Sequence, residues 1–142
     1  MDSERARSIC LSLPHAVETI KWKHYLAYWL GDREAGGKMF AMIDVDNART
    51  GVFSFCCGAE RFHELLEHEG ICRAPYMFNH GWVALERWDA LRPREIEEEL
   101  RRAHALIYAR LPEWTKEILA LPEKQSARII RERRKSIGAR GW

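Results

Sequence analysis

Three β-prone segments separated by short turn-forming segments constrain the fold of this chain more than any other feature. Residues 25–30, 38–45 and 52–57 are rich in aromatic and other apolar side chains. The first gap, residues 31–37, is polar and glycine-rich, and the second, residues 46–51, combines Asp, Asn and Gly. Connections of this kind join antiparallel strands, so the sequence predicts an antiparallel meander.

Helical patterns surround these predicted strands. Residues 94–111 follow Pro93, which is typical of a first helical turn, and they carry an apolar stripe at helical spacing. The stripe consists of Ile96, Leu100, Ala103, Ile107 and Leu111. Ser3 is the predicted cap of the first helix. Further helices are predicted at residues 3–13, 59–69, 113–121 and 123–137 and a further strand at 81–87, whereas 71–79 are expected to be irregular.

The order of these elements predicts an α+β fold. An antiparallel sheet would carry helices packed on one face, with an extra C-terminal helical segment. No apolar run reaches the ~18 residues of a membrane span, and the charged N-terminus lacks the apolar stretch of a signal peptide. We therefore expect a cytoplasmic protein without a membrane partner. The sequence does not fix the oligomeric state, and a monomer is favoured.

The net charge of +2 conceals an asymmetry along the chain. Residues 124–142 hold seven Lys and Arg residues against one Glu, a net +6, whereas residues 1–123 hold 16 against 20 acids, a net −4. A basic terminal segment of this kind binds phosphates, docks on an acidic body or lies on a membrane. The segment has too few large apolar residues for the membrane alternative, which leaves the first two open.

Four short motifs stand in order along the chain. They are Leu13-Pro14-His15, Gly37-Lys38-Met39-Phe40-Ala41, Arg73-Ala74-Pro75-Tyr76 and His80-Gly81-Trp82-Val83. In this order and spacing the sequence resembles the MmcQ/YjbR family over residues 3–112. Two positions depart from the family pattern. His15 stands where Gly is usual, and the third strand has Phe55-Cys56-Cys57 where many members carry a Lys.

The resemblance implies a CyaY-like, double-wing fold for residues 1–112, followed by a basic helical extension at 113–142. It also implies a non-enzymatic protein whose partner is DNA. The residues expected to serve that function supply phosphate-binding cations and aromatic rings for stacking or packing. They are Lys21, Lys23, Arg73, Tyr76, Trp82, Arg131, Arg134 and Lys135. For residues 21–25 the alternative is an edge strand protected by lysines.

Residues 73–82 also support a different function. They interleave a cation, aromatic rings and amides, which suits a pocket for a small ligand or a protein-binding surface. Its polar and aromatic anchors would be Tyr76, Asn79, His80 and Trp82. The structural alternative is that these rings cover the edge of the sheet.

The sequence recommends no catalytic residue, metal ligand or cofactor. Cys10, Cys56, Cys57 and Cys72 include no C-x-x-C pair, and the adjacent Cys56 and Cys57 suit a buried apolar strand. His63 and Glu67 share a helical face without a zinc-site spacing. No nucleotide-binding glycine motif or nucleophile elbow occurs. A Cys or His enzyme stays an alternative that would need a perturbed thiol or imidazole in a cleft.

Overall fold

The fold was analysed in a computed structural model, which describes residues 1–21, 24–46, 51–74 and 81–139, without the side chains of residues 21 and 137–139. These ranges contain a six-stranded antiparallel sheet with strand order β1-β2-β3-β4-β6-β5. The elements are α1 (Ser3–Ser12), β1 (Ala16–Lys21), β2 (Tyr25–Leu30), a 3-10 turn (Arg33–Ala35), β3 (Lys38–Asp44), β4 (Phe53–Cys56), α2 (Ala59–Leu66), β5 (Ile71–Arg73), β6 (Trp82–Leu85), α3 (Pro93–Arg110), α4 (Glu113–Ala120) and α5 (Glu123–Ala139).

The predicted α+β class and the predicted meander are confirmed. β2, β3 and β4 are antiparallel neighbours, with Ala27 opposite Met42 and Met42 opposite Ser54. β1 adds a further antiparallel strand before them, with Val17 opposite Trp29.

Two local predictions were wrong. Residues 71–73, expected to be irregular, form β5, which pairs with β6 at the edge of the sheet. α1 is capped by Asp2 and not by Ser3, because the Asp2 Oδ1 accepts a hydrogen bond from the Arg5 amide at 2.9 Å. Asp and Ser are both favoured caps, so the pattern alone does not separate neighbouring candidates.

Helices α1, α2 and α3 cover one face of the sheet. The predicted stripe of α3 is confirmed, since Ile96, Leu100 and Ala103 are fully buried and Ile107 and Leu111 are 4% exposed. These side chains pack with Tyr28, Phe40, Phe53 and Phe55 of the sheet in one continuous core. No helix within the described ranges is both long and apolar enough to cross a bilayer.

The C-terminal helices α4 and α5 pack beside the connection between β2 and β3. Gly36 adopts a left-handed φ of 80° after the 3-10 turn, and α4 packs Trp114 and Thr115 where a Cβ at this position would lie. α5 then contacts the 3-10 turn. Its Arg134 lines a groove together with Val17, Thr19 and Trp29, which point away from the face that α1–α3 cover.

Candidate nucleic-acid interface

One face of α5 presents a row of cations. Lys124, Arg128, Arg131 and Lys135 are exposed and follow one another at spacings of four, three and four residues. At ~100° and 1.5 Å per residue, they fall within a wedge of ~60° and span about 16 Å. We call these four residues the α5 row. They line a groove of about 470 Å³ in which Glu132 is the only acidic residue among the described ones.

The members of the α5 row differ in their partners. Arg128 forms an exposed ion pair with Glu132 at 3.4 Å. Within the described part of the chain, Lys124, Arg131 and Lys135 form no ion pair.

Two other arginines of α5 hold the helix against the body. The Arg133 Nε donates to the backbone oxygen of Glu34 at 2.6 Å, and its guanidinium lies 4.6 Å from the centre of the Trp114 ring. Arg134 pairs with Asp32, and its Nε lies 3.8 Å from the Glu34 Oε2. These two arginines thus dock α5 on the body, whereas the cations of the α5 row are exposed to solvent.

The acidic side of this contact comes from the 3-10 turn. The Asp32 side chain is only 8% exposed, and its Oδ1 accepts a hydrogen bond from the Glu34 amide at 3.0 Å. The neighbouring Asp32 carboxylate raises the pKa of Glu34, against the opposing effect of Arg134. A cation beside two adjacent carboxylates offsets their repulsion, which explains why Arg134 points inward.

The predicted DNA-binding residues that the structure describes are not brought together. Arg131 and Lys135 lie in the α5 row, whereas Arg134 is occupied by Asp32. Arg73 ends β5, where its guanidinium lies 5.4 Å from the centre of the Phe62 ring. β5 and β1 are the two edge strands of the sheet. At ~4.8 Å between neighbouring strands, about 24 Å separates them, so Arg73 lies far from any site on β1.

Of the remaining predicted residues, the structure describes the side chain of Trp82 alone. Trp82 opens β6 and is 8% exposed, so it packs in the core and offers almost no surface for stacking. Lys23, Tyr76, Asn79, His80 and the side chain of Lys21 lie outside the described set.

The sequence prediction did not include half of the α5 row. It also did not include the two acidic residues that pair with Arg134 and dock α5 on the body. Lys124 and Arg128 share the helical periodicity of Arg131 and Lys135, which was the available signal. Asp32 and Glu34 stand in a polar loop of the acidic body, and their contact with Arg134 spans about a hundred residues of sequence.

The four thiols are poor nucleophiles. All are free, and burial raises the pKa of each one, to about 12 for Cys10 and about 11 for Cys57. A thiol with a raised pKa stays protonated at neutral pH, and the thiolate is the reactive form. Among the described residues, no group of three or more His, Cys, Asp or Glu side chains could hold a metal ion.

Comparisons with known proteins identify relatives of the fold. The family model named YjbR matches residues 11–106, which end within α3, so α4 and α5 lie beyond the match. The crystal structure of Deinococcus radiodurans protein DR2400, a DUF419 domain, is similar with a TM-score of 0.68 and 24% sequence identity. The similarity covers 84% of this chain and 88% of that one. No curated protein matches the sequence.

Proposed function

The chain belongs to the YjbR family, and from that premise we propose that it is a non-enzymatic DNA-binding protein that acts mainly through phosphate contacts of the α5 row. The observation that carries this proposal is the division of cations on α5. Arg133 and Arg134 fix the helix to the body, while Lys124, Arg131 and Lys135 face solvent without an ion-pair partner among the described residues.

The energetics of such binding follow from counterion release. Each phosphate neutralised by a cation contributes about −0.9 to the slope of log K against log salt concentration on duplex DNA. If all four residues of the α5 row contact phosphates, the slope should be about −3 to −4. Contacts of this kind do not read base sequence, so similar affinity for unrelated duplexes is expected.

The direct test is fluorescence anisotropy with a labelled duplex at several salt concentrations. Arg131→Ala combined with Lys135→Ala should reduce the steepness of the salt slope by about 2 and weaken binding for all sequences. The matched control is Arg94→Ala combined with Arg101→Ala. It removes the same charge from exposed positions of α3, where both arginines pair with glutamates.

The control should keep the slope of the unaltered chain. An unchanged slope in the Arg131/Lys135 variant would contradict phosphate binding by the α5 row. An equal loss in both variants would show that net charge alone governs binding, and no interface would then be defined.

A chain truncated after Leu121 separates α5 from the body. Loss of binding on truncation assigns the contacts to α5, as proposed. Binding that survives truncation at physiological salt would move the interface to Lys21, Lys23 and Arg73. The alternative module on residues 73–82 has no described contact in its favour, because Trp82 is buried and residues 75–80 lie outside the described ranges.

A further inference from the structure

A groove lies between α5 and the outer face of the β1–β2 hairpin. Its volume is about 510 Å³, within the range of ~300–1,000 Å³ that is typical of small-ligand sites. Its floor is formed by Val17 and Thr19 of β1 and by Trp29 of β2, and its rim by charged residues of the 3-10 turn and α5. We call it the Trp29 groove.

The indole of Trp29 is held in a fixed orientation. Its Nε1 donates to the Thr19 Oγ1 of the neighbouring strand at 2.8 Å, and Trp29 packs against the small cluster of Tyr25, Ala27 and Met42. Because the polar edge of the indole is already bonded to β1, the ring contributes apolar aromatic surface to the groove. A half-buried aromatic ring fixed in this way is a platform on which another planar ring can stack.

The rim places opposite charges beside this platform. Asp32 is almost fully occupied by Arg134 and by the amide of Glu34. Glu34 is engaged more loosely, because its side chain is 30% exposed and its Oε2 lies 3.8 Å from the Arg134 Nε. A carboxylate beside a stacked ring accepts hydrogen bonds from amino groups in the plane of that ring.

One cation of the α5 row is a helical neighbour of the groove. Arg131 precedes Arg134, which lines the groove, by three positions, and residues at this spacing are neighbours on a helix surface. A planar ring on Trp29 and a phosphate on α5 would therefore be neighbours.

We propose that the Trp29 groove binds an unpaired nucleobase with amino donors, stacked on Trp29 with its donor edge at Glu34 and its phosphate at Arg131. Guanine fits best, because it presents adjacent N–H donors, whereas the single imide N–H of thymine is flanked by carbonyl oxygens. This inference rests on the proposed function for its phosphate contacts and adds a preference for unpaired guanine. The ligand is either a free nucleotide or an exposed nucleotide of a single strand.

The test follows the indole N–H signals of the full chain by NMR during titration. The chain has six Trp residues, and the Trp29 signal is identified by its loss in Trp29→Phe. The ligands are dGMP, dTMP and the trinucleotides d(TGT) and d(TTT). We expect the Trp29 signal to shift with the guanine ligands at about tenfold lower concentration than with the thymine ligands. A shift with dGMP assigns a free nucleotide, and a shift with d(TGT) alone assigns a strand.

Glu34→Gln removes the charge of the rim carboxylate and keeps its shape. The variant weakens the 3.8 Å contact with Arg134 but keeps the two closer docking contacts, since Arg133 bonds the backbone oxygen of residue 34 and Arg134 pairs with Asp32. The guanine preference should fall to about twofold or less in this variant, while binding of d(TTT) stays unchanged. A preference that survives Glu34→Gln overturns the assignment of Glu34.

The two proposals fail separately. A Trp29 signal that stays in place at millimolar concentrations of all four ligands overturns the Trp29 groove as a nucleobase site, even where duplex binding depends on the α5 row. Conversely, a guanine-selective shift together with a duplex salt slope unaffected by the Arg131/Lys135 variant supports the groove and contradicts the proposed duplex interface.

Discussion

The helices α3 and α5 are held to the rest of the molecule in different ways. On one face of the sheet, α3 buries Ile96, Leu100 and Ala103 completely in the core. By contrast, the apolar side chains that the structure describes on α5 are at most half-buried, as for Ile129 and Ile130, and its specific contacts come from Arg133 and Arg134.

This difference separates the part of the chain that makes the fold from the part that is available for binding. Burial of apolar side chains contributes ~1.5–3 kcal/mol for each large residue, whereas an exposed ion pair contributes ~0–1 kcal/mol. α3 is therefore integral to the folding unit, and α5 is attached to it. The ion pairs of α5 are also weakened by salt, which equally weakens phosphate contacts of the α5 row.

The largest expected effect concerns the buried side chains of α3. Leu100→Ala should lower the free energy of unfolding by ~2–5 kcal/mol, because the side chain is fully buried and its removal leaves a cavity. Ile130→Ala is the matched change on α5. It should lower the free energy of unfolding by less than ~1 kcal/mol, since Ile130 is half-buried. Urea denaturation of both variants measures the comparison. Equal losses would show that α5 belongs to the core, against the division drawn here.

His15 lies beside the C-terminal helices, and its replacement by Gly is expected to have the next largest effect. It precedes β1, lines a small groove with Leu119 and Ile130, and has a left-handed φ of 63° despite its Cβ. Such a conformation costs ~1–2 kcal/mol for a non-glycine residue, and the greater flexibility of glycine in the unfolded chain cancels part of the gain. His15→Gly should therefore raise the free energy of unfolding by ~0.5–1 kcal/mol. His15→Ala, which keeps the Cβ, should not, and a gain in both variants would assign the effect to the imidazole.

The sequence predicted the elements whose burial shows in their own pattern. The stripe of α3 repeats at the helical period, and the central strands are apolar over most of their length. β1 was not predicted, because the polar Glu18 and Thr19 interrupt its apolar pattern. Both side chains have partners elsewhere in the chain. Glu18 pairs with Arg7 of α1, and Thr19 bonds Trp29. A strand whose side chains are satisfied by distant partners carries little local signal.

The same limit applies to the candidate site and to buried charge. The sequence identified Arg131 and Lys135 as cations of the tail, but the inward direction of Arg134 depends on Asp32, far away along the chain. Glu99 does not belong to the apolar stripe of α3, yet its side chain is only 6% exposed and accepts from Arg61 and Arg102. Local periodicity marks a face of a helix, and tertiary partners decide which face points inward.

Arg134→Ala tests whether ion pairs hold α5. The global free energy of unfolding should fall by less than ~1 kcal/mol, because more than half of the Arg134 side chain is exposed and water replaces it. The amides of α5 should exchange hydrogen faster while those of α3 do not, as local opening requires. Arg131→Ala, on the same helix without a partner among the described residues, should leave exchange unchanged. Equal acceleration in the two variants would locate the docking contacts elsewhere.

The smallest expected effect concerns Glu18 of β1, and its dependence on pH distinguishes it. The Glu18 carboxylate accepts a hydrogen bond from Arg7 at 2.7 Å and one from the buried Tyr28 at 2.9 Å. The bond from Arg7 lowers the pKa of Glu18, aided by Tyr28 and opposed by partial burial. Because the folded pKa lies below the unfolded value, the stabilisation is complete above about pH 4.3–4.5 and is lost as the pH falls through the folded pKa.

Glu18→Gln should therefore destabilise the protein at neutral pH, and the difference from the unaltered chain should shrink in acid. Thermal unfolding followed between pH 7 and pH 3 measures this difference. In an Arg7→Ala background the first cause of the shift is absent, so the pH dependence of the Glu18→Gln effect should mostly disappear. If it persists there at full size, Tyr28 and not Arg7 governs the carboxylate. Glu18 would then be held mainly within the sheet, by the hydroxyl of Tyr28 on β2, and the ion pair with α1 would add little to its stabilisation.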